Sequence, residues 1–217
     1  MVRPVGAFIF DLDGTLIDSK LDLVNSVNAM LCKIGRPELP VDTVASYIGH
    51  GAPRLVASAL GPVATDVECK QALKVFLTHY GKHNLDQTRP YPGVAEALEA
   101  LVNLPMAVLT NKPLNMSIEI LEGLGLSRYF RGIYGGDSFE RKKPHPDGAN
   151  TILGELGGTP ENSAMIGDSD VDIQTARNAG MIAVGVNYGF GQHDRRANPA
   201  DLYVDSLNEL IAMTKKP

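Results

Sequence analysis

Val5-Gly6-Ala7-Phe8-Ile9-Phe10-Asp11-Leu12-Asp13-Gly14-Thr15 is the stretch on which the reading of the whole chain turns. From Val5 to Phe10 it is a short, continuous apolar run, as a strand buried on both faces requires. It then breaks into two carboxylates, a glycine and a hydroxyl. Similar apolar runs recur at Met106–Leu109, Ala164–Ile166 and Ile182–Val186, with a weaker one at Gly132–Tyr134. Helical patterns separate most of them. Strands alternating with helices imply right-handed crossovers and a parallel sheet, so the fold class expected is α/β. Ligands of such sheets bind at the carboxyl ends of the strands, where Asp11–Thr15 lies.

Between the first and second strands the chain reads as one helix after another. Val24, Val27, Leu31 and Ile34 recur at three- and four-residue spacing, and Gly35 follows as a stop. Ser19 with Asp22 three residues on predicts a capping box in which Asp replaces Glu. A short helix is expected over Val41–Tyr47, another carrying Leu55, Val56, Ala59 and Leu60, and a longer one over Asp66–Tyr80. This block, 19–87, is predicted to be an inserted helical cap, leaving 1–18 and 88–217 as the catalytic core. Gly14 and Asn84–Pro90 are the expected hinges.

With 217 residues, 44% hydrophobic and 21% charged, the chain can form an ordinary α/β domain and a smaller insert. A net charge of −5 disfavours nucleic acid and acidic membranes, which need a concentrated positive field. Arg141-Lys142-Lys143 and Arg195-Arg196 are too short to form a polyanion-binding stripe. Cys32 and Cys69 lie in helical segments and are expected to be buried thiols of a reduced compartment. The N-terminus lacks the long apolar region of a signal peptide, and no run is long enough to span a bilayer. The expectation is a cytoplasmic protein without nucleic-acid or membrane partners, monomeric or homodimeric.

Two carboxylates at the mouth of a parallel sheet repel each other unless a cation joins them. Magnesium suits this arrangement, since it takes one or two carboxylates together with water and phosphate oxygens. Carboxylate donors favour such a hard ion, magnesium being preferred over manganese or cobalt as the abundant one. Gly14 lets the chain turn away, and the Thr15 hydroxyl is expected to bond to a carboxylate or to backbone. The alternative is a solvated Asp-Gly turn. Three further signals follow other strands: Thr110-Asn111-Lys112, Lys142-Lys143-Pro144-His145-Pro146, and Gly167-Asp168-Ser169-Asp170-Val171-Asp172. Singly, these read as a capping Thr, a surface Lys and an acidic helix start. In this order at successive strand ends, they point to one shared site.

These four motifs resemble, in order and over essentially the full length, those of the haloacid dehalogenase superfamily of aspartate-nucleophile phosphatases. The resemblance implies a three-layer Rossmann-like parallel sheet core with an inserted all-helical cap. It implies Asp11 as nucleophile, forming a phospho-aspartyl intermediate, and Asp13 as general acid and then base. The Asp13 backbone carbonyl would join Asp11 and Asp168 as metal ligands for Mg2+. Thr110 would bond the phosphoryl group, and Lys143, directly before Pro144, would steady the negative charge in preference to Lys142. Asp172 and Thr15 would support the cluster from behind. Dehalogenases lack a second Asp at the position of Asp13, so phosphoryl transfer is expected.

Tyr47-Ile48-Gly49-His50-Gly51 with Arg54, Tyr91-Pro92-Gly93-Val94, Thr110-Asn111-Lys112-Pro113, Gly135-Gly136-Asp137-Ser138 and Tyr188-Gly189-Phe190-Gly191 are similar to segments of phosphoglycolate phosphatases within that superfamily. The implied substrate is a small phosphorylated metabolite, 2-phosphoglycolate. Asn111, Lys112, His50, Gly51 and Arg54 are the candidate substrate-binding residues. Arg54 would meet the carboxylate with a bidentate pair, or is simply a solvated residue. His50 also reads as a loop or capping residue, and His145 and His193 carry no assigned role. A pyrophosphatase, a broad sugar-phosphate phosphatase, a phosphosugar mutase and a non-catalytic regulatory protein on this fold remain as alternatives.

Overall fold

A computed structural model describes residues 4–191 and 193–214. The reading of Met1–Arg3 lies outside the described residues. Six strands form a parallel sheet: β1 (Ala7–Phe10), β4 (Met106–Leu109), β5 (Gly132–Tyr134), β6 (Ser163–Gly167), β7 (Ile182–Val186) and β8 (Leu202–Val204). Their spatial order is β5-β4-β1-β6-β7-β8. β1 lies between β4 and β6, with Phe8 opposite both Met106 and Ala164. The expected strands are all present. β8 at the edge is an addition: Leu202-Tyr203-Val204 is only three residues long, and one of them is exposed.

Period-two alternation divides the strands between two packing layers. Phe8, Phe10, Met106, Val108, Ala164 and Ile166 share one layer with buried residues of α5 (Val94–Ala100) and α6 (Leu114–Gly123). Ala7, Ile9, Ala107, Leu109 and Met165 share the other with α7 (Asp147–Leu156) and α8 (Asp170–Asn178). Both faces of the central strands are therefore dry, which is why they read as unbroken apolar runs.

The chain leaves the sheet after Asp11 and runs through β2 (Ile17–Asp18) into α1 (Lys20–Lys33), α2 (Val41–Ala45), α3 (Ala52–Leu60) and α4 (Asp66–His83). It returns through β3 (Arg89–Pro90), which pairs antiparallel with β2. Val24, Val27, Leu55, Val56 and Phe76 of these helices belong to the same apolar cluster as Phe8 and Phe10. Among the described residues, no helix is long and apolar enough to cross a membrane.

Several local expectations are corrected. Ser19 precedes α1 but makes no side-chain cap. Its hydroxyl donates to Asp13 instead, and Asp22 turns to the returning chain, where it accepts from Gln87 N, Thr88 N and the Thr88 hydroxyl at 2.7–3.0 Å. A buried carboxylate does better with several donors at once than with one cap bond. Capping boxes form elsewhere, among them Thr65–Glu68 on α4 and Ser169–Asp172 on α8. α2 stops at Ala45, two residues short of the expected end, while α4 continues three residues past Tyr80. The thiols are not buried as expected: Cys32 is exposed, 3.4 Å from Glu38, and Cys69 is half-buried. Cys32 faces outward on α1, while Cys69 packs partly buried against the edge of the core.

Candidate active site

Three parallel strands end side by side at one edge, and each delivers a polar segment there. β1 ends in Asp11, β4 in Thr110 and β6 in Asp168, and all three residues are buried. Lys143 arrives on the loop before α7, and Asp172 from the first turn of α8. The Lys143 ammonium donates to Asp11 Oδ1 at 2.7 Å and to Asp172 Oδ1 at 2.6 Å, and its side chain is only 2% exposed. Lys142, its competitor in the sequence, points elsewhere and donates to the His50 carbonyl at 2.7 Å.

Carboxylate oxygens of Asp11, Asp168 and Asp172 all lie within 4.8 Å of one another. Their hydrogen bonds divide the work. Asp172 has both oxygens engaged, Oδ1 by Lys143 and Oδ2 by the N–H and hydroxyl of Ser169. Asp168 Oδ2 accepts the Phe190 and Gly191 N–H groups at 3.0 and 2.6 Å. The second oxygens of Asp11 and Asp168 stay outside these bonds. Gly14 is required twice over: its φ is +86°, and a Cβ there would stand 1.9 Å from Asp168 Oδ2.

Burial, reinforced by the Asp172 charge, raises the Asp11 carboxyl to about 7, even against Lys143. Asp168 is raised well above the usual carboxylate range by burial and then by the charges of Asp172 and Asp11, with the Gly191 and Phe190 N–H groups opposing. Burial alone would lower Lys143, yet Asp11 and Asp172 together outweigh it and hold the ammonium form. Four carboxylates, counting Asp13, face only two ammonium groups, Lys143 and Lys112. A compact, dry, oxygen-only donor set with surplus negative charge fits a hard divalent cation such as magnesium.

Asp13 is oriented differently from the other three. Its carboxylate takes the Lys112 ammonium at 2.9 and 3.0 Å and the Ser19 hydroxyl at 2.5 Å. Lys112 also donates to the Tyr80 hydroxyl at 2.7 Å. Thr110 Oγ1 accepts the Lys112 N–H at 3.2 Å. Asn111 donates to the carbonyls of Gly49 and Lys143, tying the Gly49–Gly51 loop to the sheet edge. Gly51 fits against that edge with φ +88°, where a Cβ would come 2.8 Å from the Asn111 carbonyl. The Thr15 hydroxyl does not make the bond expected of it: it is buried and has no hydrogen-bond partner among the described residues. The bond at this turn goes to the backbone instead: the Thr15 carbonyl accepts from the Tyr188 hydroxyl.

A narrow cavity of about 40 Å³ opens between the strand ends and the helical block. Asp11, Asp13, Thr110, Asn111 and Lys112 form its polar side; Leu23, Ile48, Leu55, Phe76 and Met116 form its apolar side. Gly51 lines it, whereas His50 and Arg54 do not. Arg54 is exposed on α3. His50 is half-buried, and its pKa is lowered by burial and then by Arg54 and Lys142. His145 pairs with Asp147, and His193 sits on the Asn198 carbonyl, both away from the cavity. Sequence reasoning missed Tyr80, Ser19 and the Phe190–Gly191 N–H pair. Of these, Phe190 and Gly191 lay in the segment Tyr188–Gly191 noted for its similarity to phosphoglycolate phosphatases, and Ser19 was read only as a helix cap.

The chain matches the family model described as haloacid dehalogenase-like hydrolase over residues 8–186. It is 38% identical to a phosphoglycolate phosphatase of Pseudomonas syringae pv. syringae, covering 94% of this chain and 77% of that one. It is 36% identical to a phosphoglycolate phosphatase of Chromobacterium violaceum, covering 99% and 98%. A crystal structure described as a predicted phosphoglycolate phosphatase from Haemophilus somnus 129pt superposes with a TM-score of 0.89 at 32% identity, covering 97% of this chain and 98% of that one.

Proposed function

The chain belongs to the haloacid dehalogenase-like hydrolases, and on that premise we propose that it hydrolyses a small phosphate monoester, 2-phosphoglycolate, through a phospho-aspartyl intermediate on Asp11. The observation that carries this reading is the buried Lys143 bridging Asp11 and Asp172 beside Asp168. The names of relatives 36–38% identical over nearly the whole chain support the choice of ester. The apolar wall of Ile48, Leu55, Phe76 and Met116 offers nothing to bond the hydroxyls of a sugar, which weighs against the sugar-phosphate alternative only.

In the first step Asp11 Oδ2 attacks phosphorus. The ester P–O bond breaks, an aspartyl phosphate forms, and Asp13 gives a proton to the departing alkoxide. In the second step Asp13 takes a proton from water as that water attacks the same phosphorus and frees Asp11. Lys143 offsets charge on Asp11 and the phosphoryl oxygens, and Thr110 bonds the phosphoryl group. Asp172 keeps Lys143 in place, and Ser169 keeps Asp172 in place. Asp11, Asp168 and the Asp13 carbonyl would hold Mg2+, which when bound neutralises charge so that an anionic nucleophile can meet an anionic phosphate. The block 19–87 serves as a cap that excludes water over the core of 1–18 and 88–217. Arg54 is the cap residue proposed for the substrate carboxylate; it is exposed on α3, outside the cavity lining.

The test is magnesium-dependent kcat/KM for 2-phosphoglycolate beside pyrophosphate and several sugar phosphates. A preference of about a hundredfold, on the order of 2.7 kcal/mol of transition-state discrimination, is expected. A flat profile overturns the ester assignment.

A further inference from the structure

Tyr80 belongs to the helical block, 69 residues in sequence after Asp11, yet it reaches the site. It is 2% exposed, its ring lies parallel to Phe76 with centroids 5.6 Å apart, and its hydroxyl accepts from Lys112 at 2.7 Å. The Lys112 nitrogen also stands 4.6 Å from the centre of the Tyr80 ring. An ammonium has three N–H donors. Here one goes to Tyr80 and the others to the two oxygens of Asp13. Lys112 therefore has no donor left for a phosphate in this arrangement. Its effect falls on Asp13, whose remaining contact is the Ser19 hydroxyl.

We propose that Tyr80 is a positioning residue that fixes Lys112 on the Asp13 carboxylate, so that Asp13 is aimed only when the helical block is seated on the sheet edge. The inference rests on the proposed role of Asp13 as proton donor. It assigns Lys112 to Asp13 rather than to the phosphoryl group, and it gives the cap a function in the chemistry beyond covering the cavity. Tyr80 touches neither the reacting carboxylate nor the phosphorus. It acts through Lys112, and its ring is held by Phe76 so that the hydroxyl cannot drift away from the nitrogen.

The test uses leaving groups. The alkoxide of 2-phosphoglycolate needs a proton to depart, whereas acetyl phosphate, similarly small, releases acetate without one. Tyr80→Phe keeps the stacked ring and removes only the acceptor. It should lower kcat/KM for 2-phosphoglycolate relative to acetyl phosphate by about tenfold or more, part of the roughly 10²–10⁴ that a positioned acid contributes. The ratio of the two values does not depend on how much of the preparation is folded. Lys112→Met cuts the same link from the other end, and adding Y80F to it should leave the ratio unchanged. Should Y80F not accumulate, the K112M ratio alone must shift in the same direction. Equal losses on both substrates, or a change confined to KM, overturn the inference while the phosphatase reading stands. A wild-type protein inert on both substrates overturns the reading and the inference with it.

Discussion

The Lys143 ammonium lies 2.7 Å from Oδ1 of Asp11, and both side chains are withdrawn from solvent. A lysine so placed is held by two carboxylates, since Asp172 meets it from the other side. Removing one partner of a buried ion pair leaves the rest uncompensated. Lys143→Met is therefore expected to destabilise the metal-free protein by about 3–5 kcal/mol, measured by denaturant unfolding, and to abolish turnover. Unchanged stability would mean that the pair does not hold in solution.

Asp11 supplies a pH dependence of defined sign. Its folded-state carboxyl is raised from the ordinary 3.8 to about 7 by burial and by Asp172. The neutral form suits the fold, so its share of stability is complete below the unfolded pKa and is lost as pH rises through about 7. Asp11→Asn removes that titration. Without metal, the Tm of D11N should gain on wild type as pH rises from about 4 to about 7, while turnover falls to background. A constant difference across that window would contradict the environment described for Asp11.

Magnesium should reverse the penalty. At about a hundred times its Kd, a ligand bound only by the folded state adds roughly 2.7 kcal/mol, on the order of 5–10 °C for a chain of this length. Asp168→Asn removes a free carboxylate oxygen and should abolish most of that shift in a thermal melt. An equal shift in D168N would move the cation away from this cluster.

Asp22 offers a control with no chemistry in it. It takes three donors, Gln87 N, Thr88 N and the Thr88 hydroxyl, where the chain comes back from the helical block. Asp22→Ala leaves these donors unmet in a buried place and should cost about 2–4 kcal/mol, on the scale of bonds to charged groups. Because the residue lies outside the cavity lining, the substrate preference of the folded fraction should not change. A changed preference in D22A would make this junction part of specificity.

The legible parts of the molecule were those where one short run of sequence carries the whole message. Val5–Phe10 announces a doubly buried strand, and the residues directly after it are the ones that meet Lys143 and Asp168. Asp168 and Asp172 share the N-terminal region of one helix, so their spacing alone brings them together. Tyr80 was illegible because nothing local distinguishes it from a core tyrosine of an amphipathic helix; its partner Lys112 lies 32 residues away. Ser19 and Asp22 have the spacing of a capping box, but tertiary partners outbid the local ones, Asp13 for the first and Thr88 for the second. β2 and β3 contain two residues each and owe their existence to their pairing across the block. Lys112 was read as a substrate-binding residue; its bonds to Asp13 and Tyr80, 99 and 32 residues away in sequence, have no local signature.

The central claim is that Asp11 is the group that becomes phosphorylated. Its most direct test is the Asp13→Asn variant mixed with radiolabelled acetyl phosphate and magnesium, then quenched in acid. Acetate departs without a proton, so the first step proceeds, while the second lacks its base. The account predicts stoichiometric label on the peptide containing Asp11, released by hydroxylamine and absent from D11N. Label on another residue, or none while wild type turns over the same acyl phosphate, would contradict it.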